Sequence, residues 1–98
     1  MKTSGLRAIH PGEFLAEILA ELDVSQAAFA RAIGVSAMRI YVIAGSRSVT
    51  AELALLFGKV LGQSPEYWLN LQSAYDLATA RNAVGPRLKE MRPLPLVA

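Results

Sequence analysis

Two short helical segments separated by only two residues constrain the fold of this chain more than any other feature. Residues 25–45 read SQAAFARAIGVSAMRIYVIAG, in which Ser25 and Ser36 are favourable N-caps. Gly34 can adopt the left-handed backbone conformation that ends the first segment, and Gly45 can end the second. This window therefore predicts a helix-turn-helix.

Three further helices are predicted around this window. Pro11-Gly12 opens the first helix, whose apolar positions recur at helical spacing from Leu15 to Leu22. Thr50 caps a fourth helix, and Ser64-Pro65 opens a fifth that carries an aromatic and apolar stripe and that we end near Arg81.

The flanking segments lack this periodicity. Residues 1–10 read as an N-terminal arm, and residues 82–98 as a partly extended tail, because Gly85-Pro86 and two later prolines are expected to break a helix. A short helix from Pro86 to Met91 is an alternative within the tail. With 98 residues, 53% of them hydrophobic, the chain is expected to form one core. The prediction is an all-α domain of five helices over residues 11–81.

Composition argues against most catalytic and metal chemistry. The chain has no cysteine and one histidine, so neither a thiol nucleophile nor a zinc cage of cysteine and histidine ligands is available within one chain. No paired acid and base stands out, and His10 is expected to be structural or exposed. We therefore expect no enzyme activity, no catalytic residue, no metal and no cofactor. No apolar run is long enough to span a membrane, so the cytoplasm is the expected location.

Three motifs carry a resemblance to a known family. The helix-turn-helix offers Gln26, Ala30, Gly34-Val35-Ser36 and Ile40, which resembles the Xre-type repressor family. His10-Pro11-Gly12-Glu13 before the first helix, and residues 64–72 (SPEYWLNLQ) after the fourth, are similar to its HigA/VapI antitoxin branch. The resemblance covers residues 10–81.

That resemblance implies a lambda-repressor-like five-helix domain and a role without catalysis. A protein of this branch forms a homodimer, binds double-stranded operator DNA, represses its own operon, and neutralises a small mRNA-cleaving toxin of the HigB-like type. The expected function is thus the antitoxin of a type II toxin-antitoxin system.

The DNA-contacting residues follow from the way a helix enters the major groove. The exposed side chains of the third helix, above all those near its N-terminus, are expected to read bases; they are Ala37, Met38, Arg39, Tyr41 and Val42. Arg39 can make a bidentate contact to guanine, worth about 1–3 kcal/mol of discrimination. Phosphate contacts are expected from Gln26, Ser36, Ser46, Arg47 and Ser48.

An acidic ridge on the first helix is the candidate toxin-binding surface. Glu13, Glu17 and Glu21 fall four residues apart and share one face. A solvated surface is the simpler interpretation. The alternative is docking of the toxin, because a ribonuclease carries basic surface that holds phosphates.

The aromatic residues Tyr67, Trp68 and Tyr75 are expected to fill the core rather than to stack on bases.

Dimerisation is expected because one short helix reads only a few base pairs. The candidate interface is the fifth helix and tail, with Leu69, Leu77, Val84 and Leu88.

Two other functions remain open at this stage. The chain could be a free-standing Xre-type transcriptional repressor with no toxin. It could also be a toxin-binding module with weakened DNA recognition, because its third helix is mostly apolar.

Overall fold

The computed structural model describes residues 8–45 and 47–95. Those residues form five α-helices and no strand, which confirms the predicted all-α class. The helices are α1 (Pro11–Leu22), α2 (Gln26–Ile33), α3 (Ala37–Gly45), α4 (Ala51–Leu61) and α5 (Pro65–Glu90). Residues 1–7 of the predicted N-terminal arm lie outside this part of the chain.

Side-chain caps fix where the helices begin. The hydroxyls of Ser25, Thr50 and Ser64 each accept the backbone N–H three residues further on, at 3.0, 3.2 and 3.3 Å. Each bond satisfies an amide that has no carbonyl partner in the first turn of a helix. The predicted starts of α2, α4 and α5 are confirmed.

His10 caps α1 from a buried position. Its Nδ1 accepts the Gly12 N–H at 2.9 Å, and its ring lies edge-on to Tyr75 of α5 with the centroids 4.9 Å apart. The structural role expected for this histidine is confirmed, although the residue belongs to the folded body rather than to an arm.

One aromatic row forms the centre of the core. Phe57 packs between Phe29 and Trp68, at centroid distances of 5.4 and 5.2 Å, and Trp68 is fully buried. The indole Nε1–H of Trp68 donates to Gln63 Oε1 at 2.8 Å, which satisfies its polar atom. The expectation that Trp68 fills the core is confirmed. Leu22, predicted on the apolar side of α1, is instead 56% exposed.

α5 is longer than the sequence predicts. It continues past Arg81 and through Gly85-Pro86 to Glu90, so the predicted helix end and the predicted break are wrong. Residues 79–83 are exposed. The carbonyl that loses its amide partner to Pro86 therefore lies in a solvated stretch, where water can replace the missing donor. Within the described residues, no helix is both long enough and apolar enough to cross a membrane.

Gly58 marks a close approach between α4 and the chain that follows it. A Cβ at this position would overlap the carbonyl oxygen of Gln63 and lie 3.3 Å from the backbone nitrogen of Pro65. Both atoms belong to the backbone, so neither can swing aside as a side chain would. A residue without a Cβ is required here for α5 to pack closely on α4.

Replacing Gly58 with alanine should destabilise the fold, although alanine is the better helix former by about 1 kcal/mol. We expect Gly58→Ala to lower the free energy of unfolding by about 1–3 kcal/mol, the usual cost of overpacking. Gly85→Ala is the matched control, because nothing lies within 4 Å of its added Cβ. Urea denaturation should show the control at or above wild-type stability. Equal stability of the two variants would contradict the close approach.

Candidate nucleic-acid interface

α3 is fixed to the body by one face and by its first turn. Ile40 and Ile43 are 0% and 2% exposed. The Ser36 hydroxyl accepts the Arg39 N–H at 3.1 Å, and α3 packs against both α1 and α2. A hydroxyl that accepts this bond can still donate its own proton outward. The N-terminal turn of α3 is therefore held firmly while its other face stays free.

The turn before α3 has the geometry that the sequence predicts. Gly34 lies in the left-handed region with φ +77°. The Val35 N–H donates to the Ala30 carbonyl at 3.0 Å, which closes α2 and sets the direction of the chain into α3. Ala30 is 1% exposed, as expected for a small residue where two helices cross.

The predicted base-reading residues that the structure describes are all exposed. Ala37, Met38 and Arg39 lie on the outer side of the first turn of α3, and 68% of Met38 is accessible. The side chains of Tyr41 and Val42 lie outside the described part of the structure. Base contacts by all five residues stay a prediction.

A groove of about 530 Å³ runs beside this turn. From α3 and its cap it is lined by Ser36, Met38 and Arg39, and from the chain before α4 by Arg47, Ser48 and Thr50. Residues predicted to read bases thus share one groove with residues predicted to hold phosphate. Ser46, the remaining phosphate candidate in this segment, lies outside the described residues.

The groove combines polar groups that can bind an anion with the apolar side chains of Met38, Ile43 and Leu53. Its lining carries the guanidinium groups of Arg39 and Arg47 and the hydroxyls of Ser36 and Ser48, and no carboxylate belongs to that lining. Guanidinium groups can bind phosphate through two parallel hydrogen bonds, or the edge of a guanine. The arrangement fits a nucleic-acid backbone and an adjacent base edge.

Among the phosphate candidates that the structure describes, Gln26 alone lies apart from this groove. It is the first residue of α2, next to the capping Ser25, and is half-buried. Amides in the first turn of a helix attract anions, so this position stays a candidate for a second phosphate contact.

The acidic ridge lies elsewhere on the body. Glu17 and Glu21 are exposed, whereas Glu13 is half-buried and has an interaction partner. None of the three lines the groove described above. Across residues 8–45 and 47–95, no three acidic or histidine side chains are grouped to hold a metal ion.

Gln72 is a buried polar residue of the 64–72 motif that was not among the predicted site residues. It is 6% exposed, and its Oε1 accepts the Val49 N–H at 2.7 Å, directly after the groove residues Arg47 and Ser48. Helical register is the sequence signal that could have identified it, because Gln72 follows Trp68 by four residues and so lies on the same buried face of α5. Its partner, 23 residues away in the chain, has no local signature.

The known proteins that are similar to this chain agree in their family. No protein-family model matches the sequence. Antitoxin HigA-1 of Vibrio cholerae is 33% identical over 95 residues, which covers 96% of this chain and 90% of that protein.

Two solved structures are similar to most of this chain. A HigA-family addiction module antidote protein from Coxiella burnetii matches with a TM-score of 0.86 and 43% identity, over 91% of this chain and all of that one. Pseudomonas aeruginosa antitoxin HigA with the higBA promoter matches with a TM-score of 0.84 and 44% identity, again over 91% of this chain and all of that one.

Proposed function

The chain belongs to the HigA family of helix-turn-helix antitoxins, and on that premise we propose that it binds operator DNA as a homodimer and neutralises a toxin ribonuclease. One observation carries the DNA-binding part. The first turn of α3 is capped, backed by buried isoleucines, and exposes Met38 and Arg39 beside a groove that also contains Arg47.

The division of roles follows from the groove. Arg39 on the helix would reach a base edge, and Met38 and Ala37 would contact apolar groups such as the thymine methyl. Ser36, Arg47 and Ser48 would hold the adjacent phosphates, with Gln26 at the start of α2 as a further contact. Tyr41, Val42 and Ser46 keep the same roles in this proposal.

The dimer would form through the second half of α5. Leu77, Val84 and Leu88 are spaced by seven and four residues and therefore share one face. Leu77 and Leu88 are 50% and 51% exposed, and Val84 is partly exposed. Twenty-six residues of helix span about 39 Å, so α5 is long enough to support both the body and an interface.

The toxin would dock on the acidic ridge of α1. Glu17 and Glu21 present two exposed carboxylates one helical turn apart, next to the exposed Leu22. A basic ribonuclease would be steered toward such a surface, and the apolar neighbour would contribute contact area. Glu13 lies at the same face but has a contact of its own.

A toxin-binding module with weakened DNA recognition is the second candidate function. The specific observation in its favour is the apolar character of the exposed turn of α3, where Ala37 and Met38 offer no strong hydrogen bond to a base. This function and operator binding differ in what removal of Arg39 would do.

Removal of Arg39 should weaken operator binding without unfolding the chain. We expect Arg39→Ala to cost about 1–3 kcal/mol for each protomer, or roughly 5- to 150-fold in affinity per half-site, in fluorescence anisotropy with the duplex upstream of the coding sequence. Lys59→Ala, an exposed cation on α4, should change affinity less than about threefold. If a dimer contacts about five phosphates, the wild-type plot of log K against log salt should have a slope of about −4 to −5. Unchanged affinity in Arg39→Ala would favour the second function.

Negative charge on the face of α5 that carries Leu77, Val84 and Leu88 should separate the two protomers. Leu77→Asp with Leu88→Asp places four carboxylates in the interface of a dimer, so we expect a monomer by light scattering at micromolar concentration. Leu94→Asp is the control, since Leu94 is 80% exposed beyond the end of α5. A dimer that persists in the double variant would place the interface elsewhere.

Reversal of charge on the acidic ridge should weaken toxin binding most at low salt. We expect Glu17→Lys with Glu21→Lys to raise the Kd for the protein encoded by the adjacent reading frame, and the effect to shrink at high salt because surface charges are screened. Glu52→Lys with Glu66→Lys gives the same change in net charge on other helices. The ridge is not the docking surface if calorimetry shows equal Kd values for both pairs.

A further inference from the structure

A single side chain of α5 holds the segment that precedes α4. The Oε1 of Gln72 accepts the Val49 N–H at 2.7 Å, and both residues are buried. Residues 47–50 form neither helix nor strand, so a side chain supplies the partner that a regular element would otherwise give to the Val49 amide. This segment is tethered at its third residue.

The tether acts close to the groove. Arg47 and Ser48, which line the groove, directly precede Val49, and Thr50, which caps α4, directly follows it. The side chain of Val49 is 3% exposed, so its backbone and side chain are both anchored. The guanidinium of Arg47 therefore starts from a backbone whose position is set by α5.

Gln72 has one amide orientation that suits both of its neighbours. Its Nε2 donates to Asp76 Oδ1 at 3.0 Å, one turn further along α5, while Oε1 faces the Val49 N–H. A flipped amide would set donor against donor and acceptor against acceptor. Asp76 thus keeps the acceptor of Gln72 directed at the segment before α4.

We infer that Gln72 is a positioning residue for the phosphate contact of Arg47. This assignment rests on the proposed DNA binding and adds a residue that would not itself touch DNA. α5 would then set the geometry of the groove through one hydrogen bond, in addition to contributing its apolar face to the core.

Gln72→Met tests the tether, because methionine is similar in length but cannot accept the Val49 N–H. Gln63→Met is the matched control, because it makes the same chemical change away from the groove. It removes the partly buried hydrogen bond that Trp68 Nε1–H donates to Gln63 Oε1 at 2.8 Å. Hydrogen exchange by NMR should show the Val49 amide losing protection in Gln72→Met and keeping it in Gln63→Met.

The functional test is a double-mutant cycle in which DNA affinity is measured for Gln72→Met, for Arg47→Ala and for both together. If Gln72 acts through Arg47, Gln72→Met should weaken binding to the upstream duplex about tenfold or more. It should also make the salt slope less steep by about 2, one lost phosphate contact for each protomer. In the Arg47→Ala background the same change should alter affinity less than about twofold. Gln63→Met should leave the slope unchanged.

A conservative exchange provides the rescue. Gln72→Glu with Asp76→Asn keeps an acceptor for the Val49 N–H and replaces the second bond by one in the opposite direction. Its salt slope should return to within about 0.5 of the wild-type value. This variant also keeps the test decisive should Gln72→Met fail to fold, since a flattened slope in a folded exchange variant would overturn the assignment.

The remaining outcomes separate the two claims. A random-sequence duplex is measured alongside, because phosphate contacts do not depend on sequence. A wild-type chain that bound neither duplex would overturn the proposed DNA binding and this assignment together. Binding by wild type with an unchanged slope in Gln72→Met, or with an equal loss in the presence and absence of Arg47, would overturn the assignment alone.

Discussion

The close crossing of α2 and α3 is the constraint on which the rest of the structure depends. It requires a small buried residue at Ala30 and a left-handed turn at Gly34, and the Val35 N–H bond to Ala30 joins these two requirements. Without the turn, Ile40 and Ile43 would not face the core, and the exposed side of α3 would not face outward. Ala37, Met38 and Arg39, the proposed base-reading residues whose side chains the structure describes, take their direction from that crossing.

The second half of the chain supports this unit from behind. Phe57 of α4 joins Phe29 of α2 to Trp68 of α5, so one aromatic row spans three helices. Gly58 lets α5 approach closely enough for Trp68 to be fully buried. Packing around Trp68 therefore also affects the position of the groove wall, because α5 accepts the hydrogen bond of the Val49 amide next to the groove.

Local signals in the sequence were sufficient for the existence of the five helices and for the serine and threonine caps, but not for His10 as the cap of α1. Serine, threonine, proline and glycine act within four residues of their position, as Ser25 and Gly34 do, and such signals are visible in a single sequence. The contact of Gln72 with Val49 and the steric need for Gly58 depend on residues brought together by folding, so the pattern gave no indication of them. The predicted end of α5 was wrong for another reason: Gly85-Pro86 has a poor local preference for helix, yet the helix continues through it, and no neighbour within 4 Å of a Cβ at Gly85 accounts for this.

The outer half of α5 has little support from its own protomer. Residues 79–83 are exposed, and glycine and proline in a helix interior cost about 1 and 3 kcal/mol relative to alanine. A helix with so weak an intrinsic propensity is stabilised by any surface that packs against it. If α5 forms the proposed dimer interface, its helix content should rise with protein concentration, so that dilution unfolds the end of α5 before the rest of the domain. The abundance of the chain in the cell would then set how much of it is fully ordered.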